Sequence, residues 1–179
     1  MTDYILTPRP TRRPVPTSSG SELRVSAPMP ARSIQFFAAG TPKGQPRARA
    51  FAKKMGGKFV ARMYDAGTAE EWKTLIVLAA NPHLPKSPIA GAIRVDLTFY
   101  FPRPKGHFRS NGELKPNAPT WHTSKPDRDN AEKAVTDCLT QVGVFADDAL
   151  ICAGEVQKLY TPEGMRAGVL VKITPLEGN

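Results

Sequence analysis

Nine residues in the middle of the chain, Ile93 to Phe101, alternate apolar and more polar side chains at every step, which puts Ile93, Val95, Leu97, Phe99 and Phe101 on one face of an extended strand. Two stretches with helical spacing carry the apolar stripes of a core. In the first, Ala69, Trp72, Leu75, Ile76 and Ala79 recur with a period near 3.6; Thr68 and Glu71 have capping-box spacing, and Asn81-Pro82 marks the stop. In the second, Asp129 is read as the cap with Glu132 at the third position. Ala131, Ala134, Val135, Cys138, Leu139 and Val142 form one stripe, which Gly143 ends.

Around these lie a short apolar run, Ile34 to Ala39, and two β-rich segments, Leu150 to Leu159 and Arg166 to Thr174, separated by Thr161-Pro162-Glu163-Gly164. The order is β, loop, α, β, loop, α, β, β. The expectation is an α/β (α+β) domain over residues 33–179: a small mixed sheet of about four strands with two main helices. Residues 1–32 hold six prolines and no periodicity, and read as a disordered tail. Two long segments are read as loops, one from Thr41 to Phe59 and one from Pro102 to Pro126.

No stretch approaches the roughly 18 apolar residues of a membrane helix. Arg12-Arg13 has no apolar run behind it to make an export signal. Cys138 and Cys152 have neither a CxxC spacing nor a histidine neighbour, so a disulfide framework and a zinc site are set aside. A reducing, cytoplasmic compartment is expected.

Charge points to a partner. The chain carries 25 Lys and Arg against 16 Asp and Glu, a net +9 that favours a polyanion. Seven basic residues and no acid lie between Gly40 and Tyr64, whereas residues 127–148 hold six acids and two bases. An acidic knot in a basic chain fits a divalent cation. Asp127 and Asp129 precede the second helix, Asp147 and Asp148 precede the next strand, and a hard ion such as Mg²⁺ takes carboxylate oxygens, water and phosphate. Lys133 and Asp137 follow Asp129 at i+4 and i+8 on one helix face. An ammonium beside carboxylates and a metal can neutralise charge on a phosphoryl oxygen. The same residues are equally accounted for as a helix cap and an i,i+4 ion pair.

Lys43, Arg47 and Arg49 on the first loop, Arg103, Lys105, Arg109 and Lys125 on the second, and Lys158 beyond it are the candidate phosphate contacts. His107 and His122 read as loop histidines rather than ligands. Trp121 and Phe108 are candidates for stacking on unpaired bases or for packing the loop. Glu155 and Lys158 have an E-x-x-K spacing, which does not match the E-x-K of restriction-type sites, and read as strand surface.

The string KPDRDNAEKAVTDCL followed by GVFADDALI resembles the core of the RusA-like crossover junction endodeoxyribonucleases, and GTPKGQPRAR, FPRPK and Lys158 follow the same order. The resemblance spans about residues 34–174. It departs at Gln45, where many relatives carry a base, and in the longer insert from Pro104 to Trp121. The resemblance implies a homodimeric Mg²⁺-dependent nuclease, with Mn²⁺ as a substitute ion and no organic cofactor, that resolves four-way (Holliday) junctions by paired symmetric nicks in recombination and repair. It implies that Asp127, Asp129 and Asp148 bind the metal, with Asp147 a fourth candidate, and that Lys133 is the catalytic lysine. The alternatives are a non-catalytic nucleic-acid-binding protein and a flap or fork nuclease of the same chemistry.

Overall fold

The alternating segment is the central strand of the molecule. In the computed structural model, which describes residues 33–45, 49–55, 58–64 and 69–177, with only the backbone of 49–64, the five apolar residues from Ile93 to Phe101 are buried and the four between them are half-buried. The elements are β1 (Ile34–Ala39), β2 (Arg49–Met55), β3 (Lys58–Tyr64), α1 (Glu70–Ala80), β4 (Ile93–Phe101), α2 (Arg128–Gln141), β5 (Ile151–Ala153), β6 (Val156–Tyr160) and β7 (Gly168–Pro175).

Five strands form a mixed sheet in the order β1-β7-β4, with β5 and β6 both pairing the far edge of β4. β7 is antiparallel to β1 and β4, while β5 and β6 are parallel to β4. The expected α+β class is therefore found. The segment Leu150–Leu159 supplies two strands because the chain breaks step at Gly154, where an added Cβ would overlap the Val95 carbonyl. Asp96 secures the break: its Oδ1 accepts the Glu155 N–H at 2.9 Å and pairs with Arg94 at 2.8 Å. The Arg94 hydrogen bond, first among several causes, holds the Asp96 carboxyl below the ordinary range.

Both helices cover the same face of the sheet. Trp72 and Ile76 of α1 and Ala131, Val135, Cys138 and Leu139 of α2 join Phe36, Val95, Leu97, Phe99, Val169 and Val171 in one core. Burial pushes the Cys138 thiol up to about 11, which keeps it a neutral apolar residue. α2 ends in a Schellman motif. The Gly143 N–H reaches the Thr140 carbonyl and the Val144 N–H reaches Leu139, both at 3.0 Å, with Gly143 at φ +78°. That reversal carries Val144 and Phe145 into the core and brings Asp147 and Asp148 back towards the helix.

Three expectations change. The first loop contains the β2–β3 hairpin, in register from Arg49↔Tyr64 to Met55↔Lys58. Gly56-Gly57, between the strands, is a hairpin signal that the surrounding charge obscures. α1 is capped one residue late, at Ala69 with no side-chain cap, and Thr68 lies outside the described residues. α2 is capped at Asp127 instead of Asp129. The proline-rich residues 1–32 also lie outside the described residues.

Candidate active site

The cap shift decides what the first acidic pair can do. Pro126 leads into Asp127, which is extended (φ −63°, ψ 153°) and whose carbonyl accepts the Ala131 N–H at 3.0 Å. Its side chain makes no capping hydrogen bond, so the carboxylate is available to a ligand. Asp129 sits in the first helical turn, where the helix dipole favours negative charge. Both residues are exposed.

Lys133 stands one turn further along. Its Nζ meets Asp137 Oδ1 at 3.1 Å in an exposed pair. The hydrogen bond to Asp137 and that residue's charge raise the lysine above its ordinary range, and Asp148 adds to the effect across the chain reversal. Lys133 therefore stays cationic between acids from two elements. Asp148 opens a 3₁₀ turn, Asp148–Leu150, and is exposed; Asp147 Oδ1 caps that turn by accepting the Ala149 N–H at 2.8 Å. Asp147 thus has a structural task that Asp148 does not share.

The donor chemistry suits a hard divalent ion: aspartate oxygens from the α2 head and the β5 approach, with the Lys133 ammonium on the same helix. The coordination shell is not preformed. Among the described residues no group of three or more His, Cys, Asp or Glu side chains is arranged to hold a metal. Gathering three carboxylates costs mutual repulsion that a cation offsets.

The first basic loop reaches the same place. Gln45 N–H donates to the Asn130 carbonyl at 2.8 Å, and an added Cβ on Gly44 would lie 2.9 Å from Pro126 Cβ and 3.1 Å from Asn130 Cβ. Only glycine allows so close an approach. Half-buried Lys43, one residue before this contact, lines a cavity with Glu71, Trp72 and Leu75 of α1. Arg47 lies outside the described residues, and Arg49 opens β2.

The second loop is more structured than its composition implies. Its last part runs along β6: Tyr160 N–H donates to the Thr120 carbonyl at 2.8 Å, His122 N–H donates to the Lys158 carbonyl at 2.9 Å, and Trp121 bridges Leu159. Two of the expected phosphate contacts are engaged there. Arg103 donates to the Thr161 and Pro119 carbonyls, each at 2.8 Å. Lys158 Nζ donates to the Ser124 carbonyl at 2.7 Å and the Pro126 carbonyl at 2.6 Å. Burial lowers the Lys158 ammonium from its usual range, against the opposing pull of Asp127. Arg109 pairs with Glu113 at 3.4 Å, while Lys105 and Lys125 are exposed.

The histidines belong to an aromatic cluster. His122 stacks on Phe101 with ring centroids 3.8 Å apart and meets Tyr160 edge-on, as does His107. Burial first, and the Lys158 charge second, lower His122 from its ordinary value. Phe108 is half-buried and bridges Leu114, whereas Trp121 is 59% exposed. The roles of Asp96 and Lys158 escape sequence reading, because each binds main-chain atoms more than thirty residues away.

Acids at the head of α2 and in the turn before β5, with a cationic lysine on the same helix, are the features set beside the known proteins that this chain resembles. An uncharacterized protein of Bacillus subtilis (strain 168), YqaN, is 31% identical over 138 residues, covering 73% of this chain and 89% of that protein. The family described as Endodeoxyribonuclease RusA matches residues 39–174, from the end of β1 through nearly all of β7, and so takes in every acid and lysine just described: the chain belongs to the RusA endodeoxyribonuclease family.

Proposed function

We propose that this chain is a Mg²⁺-dependent endonuclease that resolves four-way DNA junctions as a homodimer, with Mn²⁺ able to replace Mg²⁺. The observation that carries this reading is that the Gly44 loop packs on the α2 head and that Asp148, from the turn before β5, acts on Lys133 one turn along the same helix, in a chain of the RusA family. Asp127, Asp129 and Asp148 would hold the ion, and Asp147 stands behind them as the cap of the turn. When bound, the ion supplies Lewis-acid stabilisation of phosphoryl charge and activation of water. Lys133, kept protonated by Asp137, adds positive charge where the transferring phosphorus becomes more anionic.

The basic residues orient the substrate. Exposed Lys105 and Lys125, with half-buried Lys43, would neutralise phosphates of the bound strand. The hairpin register puts Arg49, Lys53, Lys58 and Arg62 at positions that share one face, together with Phe51 and Tyr64. Such a two-stranded ribbon is of a size that duplex grooves admit. A two-fold dimer would present two sites to two equivalent phosphates, which paired nicking requires.

A second reading has one observation in its favour. The lack of a preformed carboxylate cluster among the described residues suits a junction-binding protein without catalysis. Incubating labelled four-way, three-way and linear DNA with the protein, with and without EDTA, separates the two. A nuclease shortens the branched strands only when metal is free, and Asp127→Asn then binds the junction but leaves it intact. Retardation without cutting in Mg²⁺ and in Mn²⁺ refutes the proposal, and cutting of flaps or forks in preference to four-way junctions narrows it.

A further inference from the structure

Lys158 was expected on the surface of a strand, in contact with DNA. Its position is different. β6 holds its backbone in parallel register with Phe99, and its carbonyl accepts the His122 N–H at 2.9 Å. Its ammonium lies 5.8 Å from the centre of the Phe101 ring and donates to the carbonyls of Ser124 and Pro126, at 2.7 and 2.6 Å. One residue therefore grips the incoming loop at three points: 122, 124 and 126. The next residue is Asp127, whose side chain no cap restrains.

We infer that Lys158 is a positioning residue for the metal site: it clamps the peptides at 124 and 126 to β6 and thereby fixes where the Asp127 carboxylate stands. This deepens the nuclease reading proposed above and rests on it. The physical argument is that a carboxylate ligand is only as well placed as the backbone that carries it. Here that backbone has no regular secondary structure before Arg128, so charge-assisted hydrogen bonds to its carbonyls take the place of a ladder. The half-buried ammonium has two strong acceptors already, and a phosphate would have to displace them. A neutral side chain of the same length would leave both carbonyls without their charged donor and let the Asp127 turn relax.

The test uses Lys158→Met, which keeps an unbranched stem one atom shorter and loses all donors, and Lys158→Arg, which keeps charge and donors. Mn²⁺ affinity is measured by EPR of the free ion on the full-length protein, and junction binding is measured separately in EDTA. Partners that orient a ligand without touching the metal are worth about ten- to a hundred-fold in metal affinity. Lys158→Met is therefore expected to weaken Mn²⁺ binding by that factor and to leave EDTA junction binding within about two-fold of the parent, with Lys158→Arg recovering most of the loss. A Lys158→Met protein with parental Mn²⁺ affinity, or one that instead loses junction binding and lowers its salt slope by about 0.9 as a lost phosphate contact would, overturns this inference and leaves the nuclease reading standing. A parent protein that binds no Mn²⁺ and cuts no junction overturns both. Should Lys158→Met fail to fold, the side-chain ammonium NMR signal of the unmodified protein decides the matter. A slowly exchanging Lys158 signal that does not move on adding junction DNA in EDTA supports the clamp, and one that shifts with the DNA refutes it.

Discussion

Replacing Gly143 by alanine tests whether α2 ends in the left-handed turn that precedes Asp147 and Asp148. Gly143 has φ +78°, and an L-residue in the left-handed region costs about 1–2 kcal/mol. Alanine also restricts the unfolded chain, which returns about 0.4–1 kcal/mol. Packing adds nothing, because the new Cβ would meet only Pro88 Cγ, at an ordinary 3.6 Å. The expected net loss is then about 1 kcal/mol, or roughly 2–4 °C in Tm for a chain of this size. Gly143→Asn, which tolerates this conformation better, should recover part of it. Gly164→Ala is the control: it shares a positive φ of +75° and open surroundings, so it should cost about the same without touching α2. Urea unfolding at a single pH measures all three. No loss for Gly143→Ala would mean that the helix does not end in the left-handed turn. A loss above about 3 kcal/mol would mean a steric conflict where none is found, and either result refutes the reasoning.

Other expectations follow from the same geometry. Gly154→Ala should cost more than Gly143→Ala, because its Cβ would overlap the backbone carbonyl of Val95 at the centre of the sheet and neither side can retreat; equal urea midpoints for the two variants would contradict this. In the native protein a thiol reagent should label exposed Cys152 quickly and reach Cys138, whose thiol is pushed up to about 11, only after unfolding; two equally fast thiols would contradict the packing of α2. Burial holds His122 below its unfolded value of about 6.5, so the unfolded chain binds more protons below that pH and stability should fall as pH drops through about 6.5. His122→Phe, which keeps the stack on Phe101, should flatten that part of the curve, and an unchanged slope would rule it out. Lys105→Ala and Lys125→Ala should each lower the salt dependence of DNA binding by about 0.9, whereas Arg103→Ala should chiefly lower Tm because its guanidinium holds the Thr161 and Pro119 carbonyls.

Period and punctuation alone carried a large part of the architecture. The alternation over Ile93–Phe101 specified which face of β4 is buried, and the stripe from Ala131 to Leu139 specified which side of α2 meets it, because side-chain direction repeats every two residues in a strand and every 3.6 in a helix. Gly143 marked the end of α2 for an equally local reason, and the acidic knot stood out as a charge imbalance. What no local pattern holds is the choice of partner for a polar group. Asp127 and Asp129 are equivalent caps by composition, and the backbone entering from Pro126 decided for Asp127. Arg103, Lys158 and Asp96 look like solvated charges in the sequence, yet they are bound to main-chain atoms 58, 32 to 34 and 59 residues distant. A hydrogen bond over such a separation exists only once the sheet has brought both ends together, so the tertiary structure alone decided which basic residues face solvent and which hold the loop that carries the first aspartate.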